Sequence, residues 1–466
     1  MKLQHSMKAL LTYSLSTFLL KGIGFLTTPL FTRLLSIGEY GNYSIFTTWV
    51  SLFSVFIGLQ VSASIPTARI YRENNNFDLY LRNISVLSLI SAVCISLLCI
   101  LFRNTLTSLL KISQGLVWQL VIQAFGVSCV TFYSTYTIQT KQAKKNGMFS
   151  VLVTLSITLL GLLFVLKAKE NKDTARIFAT TLSYIVIIPF VLKKFKTFDK
   201  KKINYDDWKF CLSLSIPLIM HLLSNIIIGQ SSRIFLKALI NEDKAAIYTV
   251  AATVASITII VADVCNNVWS PWYLENTKYE NNEKINEIAI KYMNIIALIF
   301  SLLIIISPEI FAIMAPPEYK IGNRSVLILT AGNFFVFLYR FPLGFEQYSK
   351  NMKWVAVCTI ISALANMGLN YFLINSIGFE GASIASLISY IILFGLHEVV
   401  ARKIIKNYNI RFRDYINAII ICGIFFFLSY IFLDYQIIRF VIFTGLMVFL
   451  IYKVLKDYRN VRLDQE

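Results

Sequence analysis

Among the charged or protonatable side chains inside long apolar runs or at their edges, eight are candidates for chemistry: Lys21, Arg33, Arg69, Arg72, His221, Arg233, Asp263 and Arg340. A charge placed in hydrocarbon costs at least about 2.5 to 3.5 kcal/mol on insertion scales, so each of these needs a partner or a task. Lys21 falls about 16 Å along its run at helical rise, near mid-depth, which is too deep to snorkel easily. Facing water, it would hold an anion as a point charge; an internal ion pair with a carboxylate is the alternative reading. His221 lies at the corresponding depth of a later run, where an imidazole serves either as a proton-coupling group or as a packing residue. Asp263 and Arg340 reach similar depth in the cytoplasmic half of their runs, and neither charge stays unpaired there at modest cost, so they are expected to pair in at least one state. Asp263 then joins His221 as a candidate ion-coupling residue. Arg33 and Arg233 sit at outer ends of runs, and Arg69 and Arg72 follow Pro66 at an inner end. Binding of an anionic ligand and anchoring at the membrane interface or to anionic lipid account for these four equally well.

Other chemistries find no support. No GxxxxGK[ST] phosphate loop occurs, so energy must come from an ion gradient or membrane potential rather than from a nucleotide bound in that way. The three histidines (His5, His221, His397) and seven cysteines form no cluster with metal-ligand or disulfide-framework spacing. No cofactor is expected. A membrane-embedded polymerase or glycosyltransferase should carry carboxylates or basic groups in a large extramembrane loop. Here the longest loops are only about 17 to 20 residues and cytoplasmic, and the most basic of them, residues 193–209, carries seven lysines.

The elements that must position these side chains follow from composition. Of 466 residues, 56% are hydrophobic and only 15% charged, against about 25% charged in soluble chains. The excess apolar surface requires lipid as solvent. The net charge of +19 lies mostly between apolar runs, so it indicates membrane orientation and not nucleic acid. Fourteen runs are long enough to cross a bilayer as helices: 10–32, 43–65, 82–102, 116–138, 148–166, 175–192, 210–232, 246–268, 288–313, 325–345, 354–375, 381–400, 415–433 and 436–455. None alternates as barrel strands do. Loops on the amino-terminal side carry 29 Lys and Arg and those on the opposite side 12, which places both termini in the cytoplasm. Trp269, Trp272 and Tyr273 read as an interfacial aromatic belt.

The chain also repeats itself. At an offset of 206 residues Gly126, Val130, Tyr133 and Lys144 fall on Gly332, Val336, Tyr339 and Lys350, and Ala179, Ser183, Tyr184 and Ile185 fall on Ala385, Ser389, Tyr390 and Ile391. Near offsets of 205 and 199 the first two spans echo the seventh and eighth. Six spans return the chain to its starting side, so the copies share one orientation. The expected architecture is an all-α polytopic membrane protein of two pseudo-symmetric six-helix lobes, 1–200 and 201–402, with two appended helices in 403–466. Duplicated lobes of this kind are the build of secondary transporters. Lys200, Lys201 and Lys202 read as a solvated or lipid-touching linker.

Two stretches carry a resemblance. Thr32-Arg33-Leu34-Leu35-Ser36-Ile37-Gly38-Glu39-Tyr40-Gly41-Asn42-Tyr43-Ser44 resembles the turn between the first two helices of bacterial polysaccharide flippases. Ala363-Leu364-Ala365-Asn366 through Leu373-Ile374, then Gly378-Phe379-Glu380-Gly381-Ala382-Ser383-Ile384-Ala385-Ser386-Leu387-Ile388-Ser389-Tyr390, resembles that family's signature for helices eleven and twelve. In physical terms, glycines make the turn and small residues every three or four positions allow close helix packing. The resemblance implies the multidrug, oligosaccharidyl-lipid and polysaccharide exporter superfamily, and within it a bacterial inner-membrane flippase for undecaprenyl-diphosphate-linked O-antigen, capsule or exopolysaccharide units. Lys21, Arg33, Arg69, Arg72, Arg233 and Arg340 would then meet the diphosphate and sugars while the polyprenyl chain stays in lipid. The implied partners are the lipid-linked oligosaccharide, membrane lipids, and the polymerase and glycosyltransferases of the same pathway. The alternatives, in order, are a lipid II-type flippase, which fourteen helices would fit; a multidrug or ion antiporter, which should show a carboxylate-dominated cleft; and a membrane polysaccharide polymerase.

The charge count yields a direct expectation. Alkaline phosphatase fused after Lys201 should be inactive and a fluorescent fusion at Glu466 bright; the reverse pattern overturns the assigned orientation.

Overall fold

The computed structural model describes residues 25, 27–72, 74–199, 203–278, 282–349, 352–405, 408 and 410–463. Every regular element among them is helical. The first apolar run lies largely outside the described residues, which begin in earnest with a helical stretch at 27–34. Next come α1 (Ile37–Ile57), a 3-10 turn (Val61–Ser64), α2 (Ile65–Tyr71), α3 (Asn74–Leu101), the short α4 (Arg103–Leu110), α5 (Gln114–Gln139), α6 (Ala143–Lys167) and α7 (Lys172–Lys194). After the loop follow α8 (Tyr205–Leu239), α9 (Glu242–Lys278), α10 (Asn282–Met314), α11 (Asn323–Leu338), α12 (Arg340–Tyr348), α13 (Met352–Ile377), α14 (Phe379–Val399), α15 (Phe412–Ile431) and α16 (Gln436–Leu463). Among the described residues, twelve helices are long and apolar enough to cross a membrane, and α1 with α2 makes a thirteenth, bent by 54°. These thirteen coincide with the thirteen apolar runs that follow residue 32. The protein is a multi-pass membrane protein.

The bend between α1 and α2 has a local cause. Leu59 and Gln60 both adopt positive φ, near +47° and +46°, and Pro66 stands in the first turn of the next helix, where its missing N–H costs no bond. At the other end Ser36 caps α1 reciprocally with Glu39: the Glu39 amide donates to Ser36 Oγ at 3.3 Å and the Ser36 amide to Glu39 Oε2 at 2.8 Å. Glu39 also accepts from the Lys172 amide at 2.8 Å, and Lys172 Nζ reaches the Leu34 carbonyl at 3.0 Å. The acidic turn of the first motif is therefore a helix cap that ties the start of α7 to the start of α1.

Contacts group the chain into two compact units, 1–234 and 235–466. In the first, α5 packs against α1, α6 and α7; in the second, α11 packs against α9, α10 and α14. Large apolar side chains such as Leu97, Leu101, Leu159, Leu166 and Phe372 remain exposed, as a lipid-facing surface requires. The described ends of the loop at 193–209 are held within the first unit. Arg72 pairs with Asp207 at 2.6 Å, Asn83 Nδ2 donates to Asp207 Oδ2 at 2.7 Å, the Trp208 indole donates to the Asn83 carbonyl at 2.8 Å, and Arg82 donates to the Asp199 carbonyl. Lys200, Lys201 and Lys202 lie outside the described residues.

The internal repeat has a packing counterpart. A Cβ on Gly126 of α5 would run into the ring of Tyr184 on α7; a Cβ on Gly332 of α11 would meet the Leu387 backbone at 3.3 Å and the Tyr390 ring at 3.5 Å on α14. The two glycine–tyrosine contacts are the same pair displaced by 206 residues. The second motif acts likewise: Gly378 turns the chain with φ +71°, and Gly381 lets α14 lie against the Leu373 carbonyl, where a side chain has no room. An alanine usually stabilises a helix relative to glycine by up to about 1 kcal/mol. Gly126→Ala should do the opposite, by about 1 to 3 kcal/mol of overpacking, and Gly332→Ala should cost less. Melting of the detergent-solubilised variants measures both; a Gly126→Ala protein as stable as wild type would contradict the close packing.

Candidate functional site

The span that runs from Pro317 to Tyr348 is the most buried, with 72% of its most apolar stretch inside the protein. It is not one continuous helix. Pro342 has no N–H to offer the Leu338 carbonyl, and the helix breaks at Tyr339 into α11 and the nine-residue α12. Arg340 is the first residue after the break. Its Nη2 lies 2.6 Å from Asp263 Oδ1 on α9, with side chains 15% and 38% exposed. The pairing expected from depth alone is present. A half-exposed carboxylate beside a nearly buried guanidinium leaves the acid, and through it the pair, accessible from a cavity. That cavity, of about 260 Å³, is lined by the two charges together with Asn266, Trp269, Tyr339 and Gln347. Its lining offers a cation, an anion, amides and aromatic faces, the set that holds an anionic, hydroxyl-rich ligand.

An aromatic stack fixes the walls. Trp269 lies nearly parallel to Tyr273 and Tyr292, with centroids at 5.7 and 5.3 Å, and 5.0 Å from Phe341 of α12. Trp269 and Tyr273 are only 6% and 2% exposed. Their reading as an interfacial belt is corrected by this: they are core residues joining α9, α10 and α12. Sequence position at a span end does not distinguish a ring turned to the headgroups from one turned inward.

The remaining expected site residues are dispersed. Lys21 lies outside the described residues. Arg33 is exposed and donates to the Pro29 carbonyl at 2.9 Å. Arg69 stands over the Phe77 ring at 5.1 Å. Arg72 is taken up by Asp207 and by the faces of Tyr80 and Phe210, at 4.5 and 5.4 Å. His221 contacts Asn225 one turn further along α8 at 3.2 Å. Arg233 is half-buried and engaged in interactions of its own. Of the eight, the described structure brings Arg340 and Asp263 together.

Two sets of residues escaped the sequence reading. Arg176, in the first turns of α7, lies between the rings of Phe31 and Tyr43 at 3.5 and 3.7 Å. Its charge sat near a span end, where an anchoring arginine is ordinary. Glu346 and His397 form a wholly buried pair. A partial signal was present, since His397 lies inside the run 381–400 and Glu346 one residue past the run 325–345.

Comparison with known structures identifies the fold. The fold resembles the lipid II flippase MurJ in an inward closed conformation, with a TM-score of 0.69 at 14% identity, covering 96% of this chain and 99% of that one. It also resembles an inward-facing multidrug resistance MATE family transporter of the MOP superfamily, with a TM-score of 0.58 at 15% identity over 85% of this chain and 98% of that one. The sequence profile of the polysaccharide biosynthesis protein family matches residues 6–277, and the chain belongs to that family. Among its relatives are the Lsg locus putative protein 1 of Haemophilus influenzae, 22% identical over 74% of this chain and 85% of that protein, and the probable low-salt glycan biosynthesis flippase Agl15 of Haloferax volcanii, 23% identical over 52% of each.

The pair makes opposite demands on single and double variants. Removing one partner leaves an uncompensated charge, so Asp263→Asn, which strands the nearly buried guanidinium, should lower membrane abundance more than Arg340→Gln, which leaves a carboxylate that the cavity can hydrate. The double variant should recover abundance yet not activity. Restoration of both assigns the pair a structural role only.

Proposed function

We propose that this protein flips undecaprenyl-diphosphate-linked oligosaccharide repeat units from the inner to the outer leaflet of a bacterial cytoplasmic membrane, by alternating access and without nucleotide hydrolysis. The observation that carries the proposal is the Arg340–Asp263 pair facing a polar and aromatic cavity inside a span, in a chain of the polysaccharide biosynthesis family. The guanidinium takes the diphosphate as the carboxylate gives it up, and Lys21 is a further substrate-binding cation in this reading. Arg33, Arg69, Arg72 and Arg233 contribute by attracting the anionic headgroup to either face. Sugars and diphosphate cannot shed water into hydrocarbon, so they need this polar route while the polyprenyl chain stays in lipid. Asp263 and His221 are the proposed ion-coupling groups. Both termini face the cytoplasm in this reading, and the polymerase and glycosyltransferases of the pathway are the functional partners.

A lipid II-type flippase is the second reading, favoured by the extent of the likeness to the MurJ fold. The two readings share the diphosphate and differ in the sugar.

Vesicles carrying the purified protein and a labelled lipid-linked oligosaccharide provide the test. Lys21→Ala should reduce flipping severely at unchanged abundance, Lys21→Arg should retain part of it, and Lys21→Glu should be worse than alanine, because a low-dielectric site magnifies charge complementarity. Equal flipping by wild type and Lys21→Ala removes Lys21 from the site. Faster flipping of lipid II than of oligosaccharide repeat units favours the second reading.

A further inference from the structure

The short helix α12 is held on two sides by two different ionisable pairs. Arg340, at its first position, meets Asp263 of α9. Glu346 lies six residues on, roughly 120° around the helix and about 9 Å along it, and meets α14: its Oε2 is 2.7 Å from His397 Nδ1, and both side chains are 0% exposed. The outer atoms of this second pair, Glu346 Oε1 and His397 Nε2, are buried and accept or donate no hydrogen bond. A helix merely being fastened needs no such arrangement, since each orphaned polar atom is a cost that an apolar contact avoids.

Counting protons shows what the pair can do. With one proton shared beyond neutral imidazole and carboxylate, the pair has no net charge, whether it is written as imidazolium with carboxylate or imidazole with carboxylic acid. Losing that proton leaves a net negative charge on side chains that have no exposed surface. The ionisable groups facing the pair do not offset that charge. Glu398, beside His397, is neutralised by Arg402 at 2.5 Å; on its other side Tyr415 joins Tyr408 at 2.7 Å. Cys358 of α13 lies within electrostatic reach of Glu346. The Tyr339 ring covers His397 at 5.5 Å, and Asp263 with Arg340 forms a neutral pair beyond it. The charge of this region, among the described residues, turns on one proton.

We infer that Glu346 and His397 form a proton-binding site that is coupled to the Arg340–Asp263 pair by rigid movement of α12. The inference rests on the proposed reading of Arg340 as the anion-binding group. When an anionic headgroup takes Arg340 from Asp263, α12 loses its tie to α9. The break at Tyr339 lets it move apart from α11, the buried pair meets water, and the proton leaves from Glu346 or His397. Rebinding of the proton draws α12 back on α14 and so favours the closed Arg340–Asp263 pair. Proton and anion therefore compete, each weakening the other by the same factor.

Two measurements on the full chain in nanodiscs test this. The first is infrared difference spectroscopy as pH is raised, with no substrate present. Wild type should lose a buried carboxylic-acid or imidazolium signal that is missing from both Glu346→Gln and His397→Asn and persists in the Asp263→Asn, Arg340→Gln double variant. The second is proton release into weak buffer on adding farnesyl diphosphate as probe: about one proton per chain from wild type, and none from Glu346→Gln or His397→Asn. A signal unchanged in Glu346→Gln and His397→Asn overturns the proton site. A signal that behaves as stated, with farnesyl diphosphate bound but no proton released, overturns the coupling. If farnesyl diphosphate does not bind at all while the infrared signal behaves as stated, the anion-binding reading of Arg340 fails and the proton site stands alone. Should Glu346→Gln not fold, His397→Asn carries both comparisons.

Discussion

A charge inside a bilayer must be paired, hydrated or neutralised, and that constraint organises the second half of this protein. Arg340 and Asp263 could be replaced by apolar residues of similar volume at little cost to folding, since the desolvation penalty of a buried ion pair offsets much of its attraction. In the proposed reading, their presence in the most deeply packed span among the described residues marks a pair kept for exchange. In that reading the surrounding structure lets the exchange occur without dismantling the core. Pro342 and the break at Tyr339 detach a single nine-residue segment from α11, while the stack of Trp269, Tyr273 and Tyr292 gives the segment a rigid wall to move against.

The same logic explains why the rest of the chain is built from small residues and caps. Lipid provides no hydrophobic force to drive helix against helix, so association depends on close approach and on hydrogen bonds. The glycine–tyrosine contact repeated in both units, the buried run of Ala382, Ser383, Ala385, Ser386 and Ser389 on α14, and the Asn366 to Ser389 hydrogen bond of 3.0 Å are all contacts of this type. Their effect is close helix packing within each unit, against which, in the proposed reading, one short helix and two ion pairs are the adjustable parts.

How much of this was legible in the sequence depended on range. Spans were legible because twenty apolar residues have one physical use, and thirteen appear where the hydropathy placed them. The repeat was legible because it preserved identities at a fixed offset. The Asp263–Arg340 pair was legible because depth is set by counting along a helix, and two opposite charges at one depth have few other fates. What depth does not encode is rotation about the helix axis. Hence Trp269 and Tyr273 were assigned to lipid although they face the core, Arg72 gave no sign that Asp207 would reach it across 135 residues of chain, and Arg176 passed for an anchor although it is sandwiched by two rings. Glu346 and His397 were separable facts in the sequence, and only the packing of α12 on α14 makes them a pair.

The central claim is that Arg340 and Asp263 pair in one state and part in another as cargo moves. Cysteines replacing both residues in an otherwise cysteine-free chain, treated with a short bifunctional thiol reagent in native membranes, test it directly. Crosslinking should be efficient without cargo and should fall when lipid-linked diphosphate substrate accumulates, with full-length protein present at equal amounts in both conditions. Crosslinking that is absent throughout, or equally efficient with and without substrate, contradicts the account.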